Sequence, residues 1–110
     1  MELNEYQKKA LITALYPDKA KIIYPTLGLA SEAGEIAGKV KKWVRGDDGD
    51  GPMSKERLTA LKDELGDVLW YIAVLAKDLG FELDEIAKLN VEKLSSRKER
   101  GVLQGDGDKR

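Results

Sequence analysis

Proline and glycine cut this chain into four stretches. Within each, apolar residues recur at three- and four-residue intervals and nowhere alternate with polar ones over a useful length. That pattern predicts helices and leaves no segment for a sheet. Leu3, Tyr6, Ala10, Leu11, Ala14 and Leu15 place a first helix over residues 3–15, ended by Tyr16-Pro17-Asp18 because a residue before proline avoids the α region. A second helix runs from about Pro25 to Val44, with Pro25 in a first turn where its missing N–H costs nothing. The breakers Gly46 to Pro52 form a loop. Ser54 then caps a third helix reaching Leu79 and closed by Gly80, although Arg57 stands where a capping box needs glutamate. The fourth covers about Leu83 to Arg100 and stops at Gly101. The tail beyond it, glycine-rich and charged, reads as frayed. The expected architecture is one all-α domain over residues 1–110, an antiparallel four-helix bundle or a pair of helical hairpins.

Composition narrows the chemistry. The 110 residues include no cysteine and no histidine. Disulfides, zinc–thiolate sites, iron–sulfur clusters, nucleophile–histidine triads and imidazole-ligated metals are therefore excluded. Carboxylates, amines, guanidinium groups, amides and hydroxyls remain. The 19 Lys+Arg against 20 Asp+Glu argue against a dedicated nucleic-acid binder. No apolar run approaches a membrane span, and the acidic start Met1-Glu2-Leu3-Asn4-Glu5 does not look like a signal peptide, so the expectation is a cytoplasmic protein.

Two acid pairs stand out. Glu32-Ala33-Gly34-Glu35 lies in the second helix and Glu64-Leu65-Gly66-Asp67 in the third. Spacing i, i+3 puts each pair on one helix face. On the third helix that face, with Tyr71, borders the apolar stripe Leu61, Leu65, Val68, Ile72, Leu75 and Leu79. On the second, Glu32 and Glu35 border Leu29, Ile36, Val40 and Trp43. If the two helices pack antiparallel, four carboxylates converge, which is unfavourable unless something positive sits among them. Lysines are one solution, and Glu35 with Lys39 also reads as a plain i, i+4 surface pair. A hard divalent cation is the other, because oxygen-only ligands suit Mg²⁺, Mn²⁺ or Ca²⁺. Gly34 and Gly66, each inside an acid pair, cost about 1 kcal/mol relative to alanine in a helix interior, which close helix approach or room for a ligand would explain.

On the fourth helix Asn90, Lys93 and Arg97 continue the face of Leu83 and Ile86, either as a polar helix end or as a clamp for anionic oxygens. Trp43, Trp70 and Tyr71 are either core or stacking surfaces. The aspartates of the Gly46–Met53 loop do not form an EF-hand. Setting Gly51 at the glycine such a loop requires puts Gly46 and Arg57 at its first and last ligand positions.

Glu32-x-x-Glu35, 28 intervening residues and Glu64-x-x-Asp67 resemble the ExxE…ExxD signature of the all-α nucleoside triphosphate pyrophosphohydrolases, and more narrowly the short MazG-like proteins. The likeness covers nearly the whole chain: Tyr6-Gln7, Tyr24 to Glu35, Lys41-Lys42, Glu64 to Tyr71, Asn90-x-x-Lys93, Arg97 and the tail Gly105-x-Gly107-Asp108-x-Arg110. The spacing of 28 is at the long end for that group, and the second repeat of its two-domain relatives is missing. The resemblance implies cleavage of nucleoside triphosphates between the α and β phosphates, for nucleotide-pool cleansing. It implies Mg²⁺, or Mn²⁺, held by Glu32, Glu35, Glu64 and Asp67, with one glutamate as general base. Substrate would meet Asn90, Lys93 and Arg97, with Lys39, Lys42, Trp43 and Tyr71 contributing, and the tail would fold back over the site. A homodimer or homotetramer is implied, with sites drawing on two chains. A dUTP/dCTP or phosphoribosyl-ATP pyrophosphatase, or a nucleotide-sensing module without turnover, are the competing readings.

Overall fold

Amphipathic stripes too narrow to stand alone decide how the helices pack. A computed structural model describes residues 1–110 as four helices and no strand: α1 (Leu3–Leu11), α2 (Ile23–Val44), α3 (Lys55–Asp78) and α4 (Leu83–Glu99). The all-α expectation holds. α2 and α3, joined by loop 45–54, form a helical hairpin; α1 lies against α3, and α4 against α1 and α3.

Two boundaries differ from the sequence expectation. Helix α1 stops at Leu11, because the Thr13 hydroxyl donates to the Ala10 carbonyl at 3.0 Å and accepts the Trp70 indole N–H at 2.9 Å. Hydroxyl side chains compete in this way with helix bonds. A short 3-10 turn, Asp18–Ala20, follows, which no pattern announced. Helix α2 begins at Ile23, with Pro25 still inside the first turn and fully buried. Ile22 enters it at φ 69°, ψ −52°, and the Ile23 N–H donates to the Lys21 carbonyl at 2.7 Å. This is the rare positive-φ γ-turn, strained for a β-branched residue. Asp78 holds it, accepting the Ile22 N–H at 2.9 Å and the Tyr16 hydroxyl at 2.7 Å.

The incomplete capping box is completed from outside the helix. Ser54 accepts the Arg57 N–H as expected of an N-cap. Asp48, across the loop, takes the Ser54 N–H that a glutamate at Arg57 would have taken, and binds the Arg57 guanidinium through both oxygens, at 2.8 and 3.2 Å. Hydrogen bonding to Arg57 holds the Asp48 carboxyl below the usual carboxylate range.

A buried glutamine joins α1 to the α3–α4 turn. Gln7 donates to the carbonyls of Ala73 and Phe81, both at 3.1 Å, and accepts the Leu83 N–H at 3.1 Å. Its neighbours Ala10, Ala73, Val74 and Leu83 are the core. Replacing Gln7 by leucine keeps the volume but strands two buried partners and one half-buried one, so a loss of about 3 kcal/mol is expected in urea unfolding.

The tail is ordered, not frayed, and it docks on α4 rather than on the carboxylates. Arg110 donates to the carbonyls of Val102, Leu103 and Gly107, Arg100 to the main-chain oxygen of Arg110, and Arg97 to that of Asp108.

The core is small for the chain. Eight of 110 residues are buried, and the 8168 Å² of exposed surface exceeds by about 2,000 Å² the roughly 6,100 Å² expected of a folded 12.2 kDa monomer. The radius of gyration, 17.2 Å, compares with about 13 Å for a compact domain of this length. Leu65 and Leu79, placed by periodicity in the buried stripe, are 59% and 46% exposed. Leu58, Leu65 and Leu69, spaced seven and four apart on α3, and Ile23 and Leu27 on α2 leave apolar surface uncovered.

Candidate functional site

The α2–α3 hairpin brings three of the four acids together. Glu32, Glu64 and Asp67 each present a carboxylate oxygen within 4.8 Å of the other two. Glu32 and Glu64 are half-buried and Asp67 is exposed. One oxygen of Glu64 is buried with no hydrogen-bond partner. The other lies 3.5 Å from the Lys39 ammonium, which stands 4.0 Å from Glu35. Glu35 remains outside the trio, half in solvent. The i, i+4 pair with Lys39 read from the sequence therefore forms, while Lys39 also reaches across to the trio.

Crowding of like charge raises the Glu32 carboxyl above the ordinary carboxylate range. The neighbouring Glu64 carboxylate, placed to accept a proton held on Glu32, is the leading cause, followed by burial and by repulsion from Glu64, Asp67 and Glu35. An orphaned buried oxygen facing two further carboxylates is costly unless a cation or proton satisfies it. All donors are oxygen, so the set fits a hard divalent ion such as Mg²⁺ or Mn²⁺.

Tyrosines surround the trio. Tyr71 lies one turn beyond Asp67 and rests on α2 at Gly28, one turn before Glu32. A Cβ at Gly28 would come within 2.1 Å of the Tyr71 ring. Burial, then the Tyr24 hydroxyl, then the charges of Glu32 and Asp67 push the Tyr71 phenol upward. Tyr6 of α1 is raised by burial and by the Asp67 charge. Close approach is thus a property of Gly28, whereas Gly34 and Gly66 have nothing within 4 Å of a built Cβ. Of the two explanations for those glycines, close packing within the chain is ruled out and open space remains.

The other sequence candidates lie elsewhere. Lys42 is exposed on the last turn of α2. Trp43 donates its indole N–H to the Gly51 carbonyl at 3.1 Å and so braces the loop. Asn90 and Lys93 are exposed on α4. Arg97 is 8% exposed and spends its guanidinium on the tail. No hydrogen bond or ion pair joins those three to α2 or α3. Gln7, Tyr24 and Gly28 fall within the stretches that carry the family resemblance, but the sequence assigned none of them a role. The four-residue steps Gly28–Glu32 and Asp67–Tyr71 were the available signal for Gly28.

Residues 25–102 match the family described as the MazG nucleotide pyrophosphohydrolase domain. Across 116 aligned positions, spanning both proteins completely, the chain is 47% identical to the Gene 37 protein of Mycobacterium phage L5. It is 40% identical over 74 positions to the uncharacterized protein YvdC of Bacillus subtilis, covering 63% of this chain and 68% of that one. No solved structure matches.

Proposed function

The chain belongs to the MazG nucleotide pyrophosphohydrolase family, and we propose that it hydrolyses nucleoside triphosphates between the α and β phosphates, giving a monophosphate and pyrophosphate. The observation that carries this reading is the convergence of Glu32, Glu64 and Asp67 around an unpartnered buried oxygen. These three would hold Mg²⁺, which when bound draws the phosphate oxygens in and offsets their charge. Glu35 lies outside the trio, paired only with the Lys39 ammonium and half in solvent, and is suited to orient the attacking water and take its proton. As water adds to phosphorus, the bond to the bridging oxygen breaks and pyrophosphate leaves with the electron pair. Lys39, already bridging Glu35 and Glu64, supplies a mobile positive charge for phosphate oxygens.

Lys93 and Asn90 reach substrate only if a second copy brings them to the hairpin. The uncovered leucines of α3 and the surplus of about 2,000 Å² per chain are on the scale that obligate dimers bury. Light scattering is expected to give at least twice the 12.2 kDa chain mass. A monomer would remove α4 from the site.

Chromatography of products from a panel of ribo-, deoxy- and damaged nucleoside triphosphates tests the activity. Monophosphate and pyrophosphate in equal amounts, with Mg²⁺ and not with EDTA, is the expected result. Nucleotide binding without turnover in Mg²⁺ or Mn²⁺ would replace the enzyme by a sensor. Turnover confined to phosphoribosyl-ATP would reassign the substrate.

A further inference from the structure

A cavity of about 340 Å³ is lined by Thr13, Leu15, Tyr16, Pro17, Tyr24 and Trp70. Its walls are aromatic and its lining carries no charge. Tyr16 and Tyr24 stack with centroids 5.0 Å apart, Tyr24 meets Tyr71 at 6.2 Å, and Tyr71 meets Trp70 edge-on at 5.0 Å. The aromatic contacts therefore lead from the cavity to Tyr71, which packs on Gly28, one turn before Glu32, and follows Asp67 by one turn. Tyr24 precedes Glu32 by eight residues, about 12 Å along α2. That separation is on the scale of a nucleotide, with its phosphates at the acids and its base at Tyr24.

Resting on the pyrophosphohydrolase reading, we infer that this cavity is the subsite for the nucleobase, which it holds against the rings of Tyr24 and Trp70 without reading the base edges. Two observations support it. The wall is built in advance: Asp78 fixes the Tyr16 hydroxyl and the strained turn at Ile22 that launches Tyr24, and strain of this kind persists where surrounding structure enforces it. The hydroxyl hydrogens of Thr13 and Tyr16 are already donated, to Ala10 and Asp78. Apart from the Tyr24 hydroxyl, contact with π-faces is left as the main source of affinity, and every base has a π-face.

The experiment compares the wild type with Tyr24→Leu, Tyr24→Phe and Leu15→Trp. Pyrophosphate release gives KM for ATP, GTP, CTP and UTP. Inorganic tripolyphosphate, which has no base, serves as competitive inhibitor. Tyr24→Leu is expected to raise every KM about tenfold or more, leave tripolyphosphate inhibition unchanged, and be rescued by Tyr24→Phe. Leu15 is 86% exposed, so Leu15→Trp narrows the cavity without touching the core and raises KM in the same selective way. Wild-type KM values for the four bases fall within about tenfold of one another. Unchanged KM in both Tyr24→Leu and Leu15→Trp overturns the proposal. So does parallel weakening of tripolyphosphate, or a hundredfold preference for one base. If the wild type turns over no nucleotide, the enzymatic reading fails separately. The subsite is then judged by quenching of tryptophan emission on titrating ATP in EDTA: quenching weakened by Tyr24→Leu and restored by Tyr24→Phe upholds it, and quenching indifferent to Tyr24 overturns it.

Discussion

Asp67→Asn is expected to lower pyrophosphate release by more than a hundredfold while leaving the metal-free protein at least as stable as the wild type. The two directions have one cause. Asp67 contributes an oxygen to the trio with Glu32 and Glu64 and raises the Glu32 carboxyl by repulsion. Groups that merely orient metal ligands typically cost 10–100-fold when lost, so a ligand itself costs about that or more. In the metal-free chain the same charge is a liability. Because Glu32 titrates above its unfolded value, its contribution to stability is fully present below the unfolded carboxylate range and is lost as pH rises through the raised value. Asparagine at position 67 relieves part of that loss. The gap in melting temperature between variant and wild type without metal is then widest near neutrality and closes on acidification. Mg²⁺ is expected to raise the melting temperature of the wild type and not of the variant. A variant as active as the wild type, or one that loses activity by unfolding, would remove Asp67 from the site.

Gly28→Ala is expected to destabilise the fold, against the usual preference for alanine inside a helix. Alanine in place of a mid-helix glycine ordinarily gains up to about 1 kcal/mol. Here the new methyl would lie 2.1–2.5 Å from three atoms of the Tyr71 ring, which is hemmed in by Tyr24 and Trp70. Forcing a packed ring aside costs about 1–3 kcal/mol beyond the lost gain. A net loss of about 2 kcal/mol in chemical unfolding is expected, with reduced activity because Tyr71 abuts the acids. Gly34→Ala and Gly66→Ala meet no atom of the same chain and are the matched controls. They gain stability if nothing approaches those positions, and lose it if a second copy does.

Periodicity and punctuation made the helices legible, because helix stop signals act locally: Gly80 and Gly101 both adopt positive φ where the sequence placed helix ends. The pairing of Glu32 with Glu64 and Asp67 was legible for the same reason, once α2 and α3 were taken as a hairpin. What stayed hidden was long-range. Gln7 looks like any surface glutamine until Ala73, Phe81 and Leu83 arrive to meet it. Arg97 reads as a free cation until the tail returns to it. Leu65 belongs to an apolar stripe by spacing, yet this chain contains nothing to cover it.

The tail has a consequence for how such proteins diverge. Every bond that closes it runs from an arginine to a main-chain oxygen, those of Val102, Leu103, Gly107, Asp108 and Arg110. Main-chain oxygens are the same whatever side chain they carry. The closure therefore measures the number of residues between Arg97 and Arg110 and is blind to the identity of most of them. Leu103, Gln104, Asp106 and Lys109 are free to drift, but one inserted or deleted residue would throw all three arginines out of register at once.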